Sequence, residues 1–206
     1  MSAARARQVR DWCRNILPFL KETFVVAAAR KVDVAVYPSQ WERKLILRDG
    51  SHISVRPIRQ GDESKIHGLL QHVSKRDLRL RFFGTIKVFT DEFVARLTHL
   101  DYARAMAFIA FDEVDTDIHG VVRLHMDSVC ETGEYAILIK TALKGRGLGW
   151  ALMQLILEYA RFKELKFISG QVLIENYLML DMCRELGFQI TSNDADCGIY
   201  DVKLEL

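Results

Sequence analysis

Lys144-Gly145-Arg146-Gly147-Leu148-Gly149 decides how this chain is read. It follows an apolar run, Tyr135-Ala136-Ile137-Leu138-Ile139, and opens an apolar-periodic segment from Trp150 to Phe162. The order predicts a strand, a glycine-rich turn and a helix. Glycines let the backbone approach an anion closely and turn its N–H groups inward. The helix N-terminus behind them adds about half a positive charge. The stretch therefore reads as a phosphate cradle, with a spacing that is neither the dinucleotide G-x-G-x-x-G nor the P-loop G-x-x-x-x-G-K-[ST].

On either side of this stretch, strand and helix patterns alternate. Downstream, a strand over 167–174 precedes a helix over 177–186, with Asn176 at its start and Gly187 where a helix C′ glycine belongs. Strands over 188–191 and 199–204 end the chain. Upstream, three apolar stretches over 106–111, 121–126 and 135–139 predict consecutive strands. Before them come helical segments near 75–81 and 91–100, and a helix after Gly61-Asp62 carrying Ile66, Leu69, Leu70 and Val73. A hairpin turns at Asp49-Gly50 between 45–47 and 52–55. The element order is that of a mixed α/β layer fold. Its sheet spans 37–206, behind an N-terminal helical extension over 1–36.

The totals exclude several classes. With 206 residues, 29 basic against 27 acidic groups and a formal charge of +2, the chain gives no general reason to expect nucleic acid. No apolar run reaches the ~20 residues of a membrane span. The four cysteines, Cys13, Cys130, Cys183 and Cys197, have no zinc-type spacing, and free thiols point to a reducing cytoplasm. A metal is not required. Val9, Trp12, Cys13, Ile16 and Leu20 recur at helical spacing opposite Arg5, Arg7, Arg10 and Arg14, until Pro18 interrupts. That helix packs on the domain or a second copy, or docks an acidic partner.

The glycine loop resembles the pyrophosphate loop [QR]-x-x-G-x-[GA] of the GNAT acetyltransferases, with Lys144 where Gln or Arg is usual. Further stretches resemble one GNAT subgroup, the bacterial Pat-type protein lysine acetyltransferases: Tyr37-Pro38-Ser39, Leu47-Arg48-Asp49-Gly50, Val55-Arg56-Pro57-Ile58-Arg59, Leu80-Arg81-Phe82-Phe83-Gly84 and Asp101-Tyr102. The similarity covers roughly residues 37 to 190. It implies a GNAT fold, acetyl-CoA as donor, and a lysine of an AMP-forming acyl-CoA synthetase as acceptor. It also implies that the synthetase-like module of larger members is absent, with Val25–Arg30 as a remnant of that junction. The chain departs from the subgroup after Asp101-Tyr102, where Ala103 and Ala105 replace acidic residues.

Several roles follow from the resemblance. Lys144, Gly145, Arg146, Gly147, Leu148, Gly149 and Trp150 would hold the CoA pyrophosphate. The backbone of Ile137, Leu138 and Ile139 would hold its pantetheine arm, and one of those N–H groups would polarise the thioester. Asn176, otherwise an N-cap, would hydrogen-bond CoA. A lysine amine with an unperturbed pKa near 10.4 must lose a proton before attack, and Glu134 is the candidate general base. Cys183 stands where many GNAT enzymes have the Tyr that protonates departing CoA; a small buried hydrophobe is its other reading. Phe83, with Phe82 and the preceding Arg79 and Arg81, would line the acceptor side, or else join the core. Asp101 would attract a cationic lysine or cap a turn, and His125 lies near the cleft. Two alternatives stay open: acetylation of a small amine, and a non-catalytic acyl-CoA sensor.

Overall fold

Cross-strand pairing and two apolar faces build one sheet from these stretches. The computed structural model describes residues 36–84, 88–112, 117–192 and 198–206. The expected N-terminal helix, Cys13 and Cys197 lie outside the described residues. Strands β1 (Arg43–Ile46) and β2 (His52–Pro57) form the hairpin, and Asp49 accepts both the N–H and the hydroxyl of Ser51 in its turn. Helices α1 (Glu63–Gln71), α2 (Lys75–Phe82) and α3 (Asp91–Thr98) follow. Next come β3 (Ala105–Phe111), β4 (Ile118–Met126) and β5 (Thr132–Ile139). The chain ends with α4 (Leu148–Phe162), β6 (Phe167–Leu173), α5 (Tyr177–Glu185), β7 (Gln189–Ser192) and β8 (Ile199–Glu205). The expected elements form within a few residues of their predicted ends. Val73 is buried just beyond α1, and α3 stops at Thr98.

The strand order is β1-β2-β3-β4-β5-β6-β8-β7, and among the described residues β5–β6 is the one parallel pair. Burial alternates strictly along β4. Val122, Leu124 and Met126 face a core with Leu152, Met153 and Ile156 of α4 and Leu180 and Cys183 of α5. Val121 and Leu138 face the other core, with Ile66, Leu69 and Leu70 of α1 and Val94 of α3. Burying each such side chain contributes about 1.5–3 kcal/mol before entropy is subtracted. Along α4 the buried Leu148, Leu152, Leu155, Ile156 and Tyr159 recur every three or four residues, so the helix after the glycine loop is held against the sheet over its length.

Local chemistry sets the helix ends. Ser74 and Thr90 cap α2 and α3 by accepting the N–H of Asp77 and Phe93. At the end of α5 the Phe188 N–H bonds the Cys183 carbonyl and the Gly187 N–H bonds that of Arg184, with Gly187 at φ 87. This is a Schellman closure. Between β2 and α1, Arg56 grips Asp62 with two bonds of 2.7 and 2.6 Å, both side chains being buried. Among the described residues no helix is long and apolar enough to cross a membrane.

Candidate active site

The sheet opens between β5 and β6. Their ladder has three pairs, Thr132–Phe167, Gly133–Ile168 and Glu134–Ser169, whereas β6 stays paired with β8 as far as Leu173. Beyond Glu134 the two strands diverge, and the β5 edge over Ile137, Leu138 and Ile139 keeps only its β4 partners Val122, Val121 and Gly120. Tyr135 lies at the fork. Its ring packs so closely on Gly170 that a Cβ there would sit 2.8 Å from Cε1, and it meets Phe188 edge-on at 5.5 Å.

The glycine loop stands at the far end of β5. Gly145 and Gly147 have φ 80 and 90, and a Cβ on Gly147 would press on the Arg48 backbone at 3.1 Å. Only glycine fits this turn without strain. The first intrahelical bond of α4 runs from the Ala151 N–H to the Gly147 carbonyl, which leaves the amides of Leu148, Gly149 and Trp150 without a helical partner. The first turn of α4 contains no acidic residue. Arg146 is exposed, and the Arg48 guanidinium stacks over Trp150 at 4.8 Å. Those amides, with Arg146 and with Arg48, which also lies 3.9 Å from Glu185, offer donors of the kind that suit an anion. Asn176 occupies the N-cap position of α5 but its side chain makes no capping bond, so the amide is available to a ligand.

Lys144 has a different task from its loop neighbours. Its ammonium lies 2.5 Å from Asp77 of α2, and the other Asp77 oxygen accepts the Thr141 hydroxyl at 2.6 Å. Thr141 in turn accepts the Ser74 N–H at 2.8 Å. Burial works to raise the Asp77 carboxyl, but bonds from Lys144, Thr141 and Ser74 outweigh it and hold the pKa below the usual range. Lys144 thus ties α2 to the loop through one of its three N–H donors, its side chain remaining partly exposed. Sequence reading missed Asp77, because 67 residues separate it from Lys144.

Glu134 faces the α1–α3 side of the sheet, opposite Tyr135. His125 is its cross-strand partner on β4, and Arg123 sits one row along, between Ala107 and Ala136. α2 packs over β5 and brings Arg81 to the same place. Glu134 is exposed to solvent, yet the protein packed around its carboxyl thins out the surrounding water. That desolvation raises its pKa, and the charge of Arg81 pulls only partly back. Desolvation also lowers Arg81 to about 10, against the help of Glu134, and lowers Arg123 to about 10, with Arg81 adding repulsion. Arg123 donates to the Leu97 carbonyl of α3. Nothing in the local spacing of Arg123 marks it out; its position depends on strand register.

The remaining candidates divide. Phe82 packs with Phe89 and Phe93 at 5.9 and 5.8 Å and belongs to the core. Phe83 ends α2 at φ 58, a left-handed conformation that costs a bulky residue about 1 kcal/mol or more. Asp101 is exposed and accepts the Ala103 N–H in the turn before β3. Cys183 is fully buried with its sulfur 3.1 Å from the Tyr135 oxygen, and burial raises its pKa despite that bond. Glu131 is exposed and pairs with Lys166. An aromatic depression lined by Trp41, Tyr102, Tyr159 and Phe162 lies at the other end of α4, away from the glycine loop.

A split sheet with an anion cradle at one end of its open strand and a carboxylate at the other suits transfer of a group from a long phosphate-bearing donor to a nucleophile. The class is a CoA-dependent acyltransferase. The model of the acetyltransferase (GNAT) family matches residues 75–188. Acetyltransferase PA5475 of Pseudomonas aeruginosa is 30% identical over 164 residues, 79% of this chain and 87% of that protein. The chain belongs to the GNAT acetyltransferase family, as an N-acetyltransferase with acetyl-CoA as donor. Among solved structures, the GNAT domain of S. lividans PAT superposes with a TM-score of 0.75 at 25% identity, covering 82% of this chain and 99% of that domain. The spermidine N-acetyltransferase from Vibrio cholerae, in complex with CoA and spermine, shares the fold at a TM-score of 0.61 and 19% identity, over 74% of this chain and 95% of that one.

Proposed function

We propose that the protein acetylates a lysine ε-amine of another protein, by direct attack in a ternary complex, and that its substrate is an AMP-forming acyl-CoA synthetase. The observation that carries this reading is the place of Glu134: a carboxylate of raised pKa at the last β5–β6 pair, where the strands part. Likeness to the S. lividans PAT domain, over nearly all of that domain, supports the choice of acceptor.

Acetyl-CoA supplies the activated acyl group. The amides of Leu148, Gly149 and Trp150, with Arg146, hold its pyrophosphate, and the open edge of β5 at Ile137–Ile139 lines its arm. Asn176 offers a side-chain amide from across the gap. Glu134 takes the proton that the amine loses as its nitrogen bonds to the thioester carbon. The carbon–sulfur bond breaks, and the sulfur leaves with a proton from water, since the buried Cys183 thiol holds its own. A base of this kind contributes ~10²–10⁴-fold, most effectively when its pKa nears the working pH. The unpaired Cys130 and Cys183 suit a reducing cytoplasm.

Incubation with acetyl-CoA and a panel of AMP-forming acyl-CoA synthetases tests this, with acetyl-lysine scored by mass spectrometry. Site-specific acetylation that disappears in Glu134→Gln is the expected result. Acetyl-CoA binding without acetylation of any synthetase would send the search to other amines, and absence of all turnover to a sensor role.

A further inference from the structure

The acceptor side of the cleft carries more positive than negative charge. α2 forms its wall and is pinned twice: Asp77 binds Thr141 and Lys144 at 2.6 and 2.5 Å, and Arg79 pairs with Glu175 before α5. These bonds neutralise Lys144 and Arg79 and fix the helix turn that presents Arg81. Among the described residues the Arg81 guanidinium has neither an ion pair nor a hydrogen bond; its neighbours are the Phe82 ring at 4.9 Å and the charge of Glu134. Arg123 reaches the same space from β4 because Ala107 and Ala136, its cross-strand neighbours, leave room on both sides. Arg81 therefore feels both the Glu134 carboxylate and the like charge of Arg123, which itself bonds the Leu97 carbonyl, and burial disfavours the charge on each guanidinium.

We propose that the acceptor amine carries an anionic group close to it, and that Arg81, seconded by Arg123, binds that group while Glu134 faces the amine. The anion is the carboxylate of an acidic residue beside a target lysine, or that of a small amino acid. The proposal rests on Glu134 marking the acceptor cleft. A guanidinium pairs with a carboxylate through two parallel N–H donors, which a desolvated and unpartnered arginine is well placed to supply. The same positive field disfavours the ammonium form of an incoming amine and so eases its deprotonation. A polyamine, by contrast, brings a second ammonium against two arginines.

The test compares kcat/KM with acetyl-CoA for matched peptides in which a lysine is flanked by Asp, Ala or Arg, for free lysine, and for spermidine. Wild type should favour Asp-flanked over Arg-flanked lysine by about ten- to hundredfold, as loss of a charged hydrogen bond implies. Arg81→Gln should erase most of that preference through KM, with acetyl-CoA affinity kept, and Arg81→Lys should retain part of it. If Arg81→Gln fails to fold, the wild-type ranking and its collapse at high salt carry the test. Peptides acetylated without regard to their flanks would overturn the inference and leave the protein-lysine reading standing. Acetylation of free lysine alone, dependent on Arg81, would overturn the protein-lysine reading and uphold the inference. Spermidine turned over as well as the best acidic acceptor, or no acidic acceptor turned over at all, would overturn the inference.

Discussion

Two carboxylate–guanidinium groupings in this molecule use the same residue types to opposite ends. Asp62 and Arg56 meet in bidentate fashion, and Asp62 also accepts the Arg59 N–H at 3.0 Å. Burial would raise the Asp62 carboxyl, but these bonds outweigh it and lower the pKa. Glu134 and Arg81 meet without such closure, so desolvation prevails over their attraction, and in Arg123 beside them desolvation and the Arg81 charge act together to lower the pKa. The first grouping is complete, so it joins β2 to α1 and has nothing to offer a ligand. The second is incomplete, so it costs stability and remains available for proton transfer and binding. Closure of the hydrogen-bond geometry, more than the presence of charge, separates a structural pair from a functional one.

The sharpest way to break this contrast is Glu134→Gln. Turnover should fall ~10²–10⁴-fold while the acetyl-CoA Kd from calorimetry stays nearly unchanged. A base must be deprotonated, and the Glu134 pKa is raised. The wild-type rate should therefore climb with pH through a step above the usual carboxylate range, and that step should vanish in the variant. A surviving step, or a small loss of rate, would place the base elsewhere.

Asp62→Ala attacks the closed pair. Removing one partner of a buried ion pair costs about 3–5 kcal/mol, or a fall in Tm of roughly 6–20 °C at this size. The lowered folded pKa means that the Asp62 contribution is full above its unfolded value, near 3.9, and disappears as pH falls through it toward the folded pKa. Urea denaturation of Asp62→Asn against wild type should therefore give a difference that narrows below about pH 4. A difference independent of pH would mean that packing, not charge, holds this joint.

Asp77→Asn probes the tie between the two ends of the site. The partly exposed Lys144 weakens the pair's worth to ~1 kcal/mol, so KM for acetyl-CoA should rise severalfold with kcat little altered. Equal loss in both would show that α2 positions the chemistry as well as the loop. Cys183→Ala is the mildest test. With the thiol buried and its pKa raised, turnover should stay within severalfold of wild type, and stability should fall by about 1–2 kcal/mol. A thousandfold loss of rate would make Cys183 the acid for the leaving thiolate.

What the chain declares locally, it declares well. The strand, glycine turn and helix around Gly147, the helix end at Gly187, and Glu134 on the strand before the loop depend on residues within a few positions of one another. Chain stiffness, hydrogen-bond ring size and apolar spacing act over that range. Asn176 shows the limit: its residue type says cap, yet its side chain does not cap. The fork after Glu134, the Asp77–Lys144 tie and the meeting of Arg81 with Arg123 were decided by tertiary structure alone. Each joins residues tens of positions apart, through sheet register and the docking of α2 on β5, and long-range packing leaves no periodic mark on the sequence around either partner.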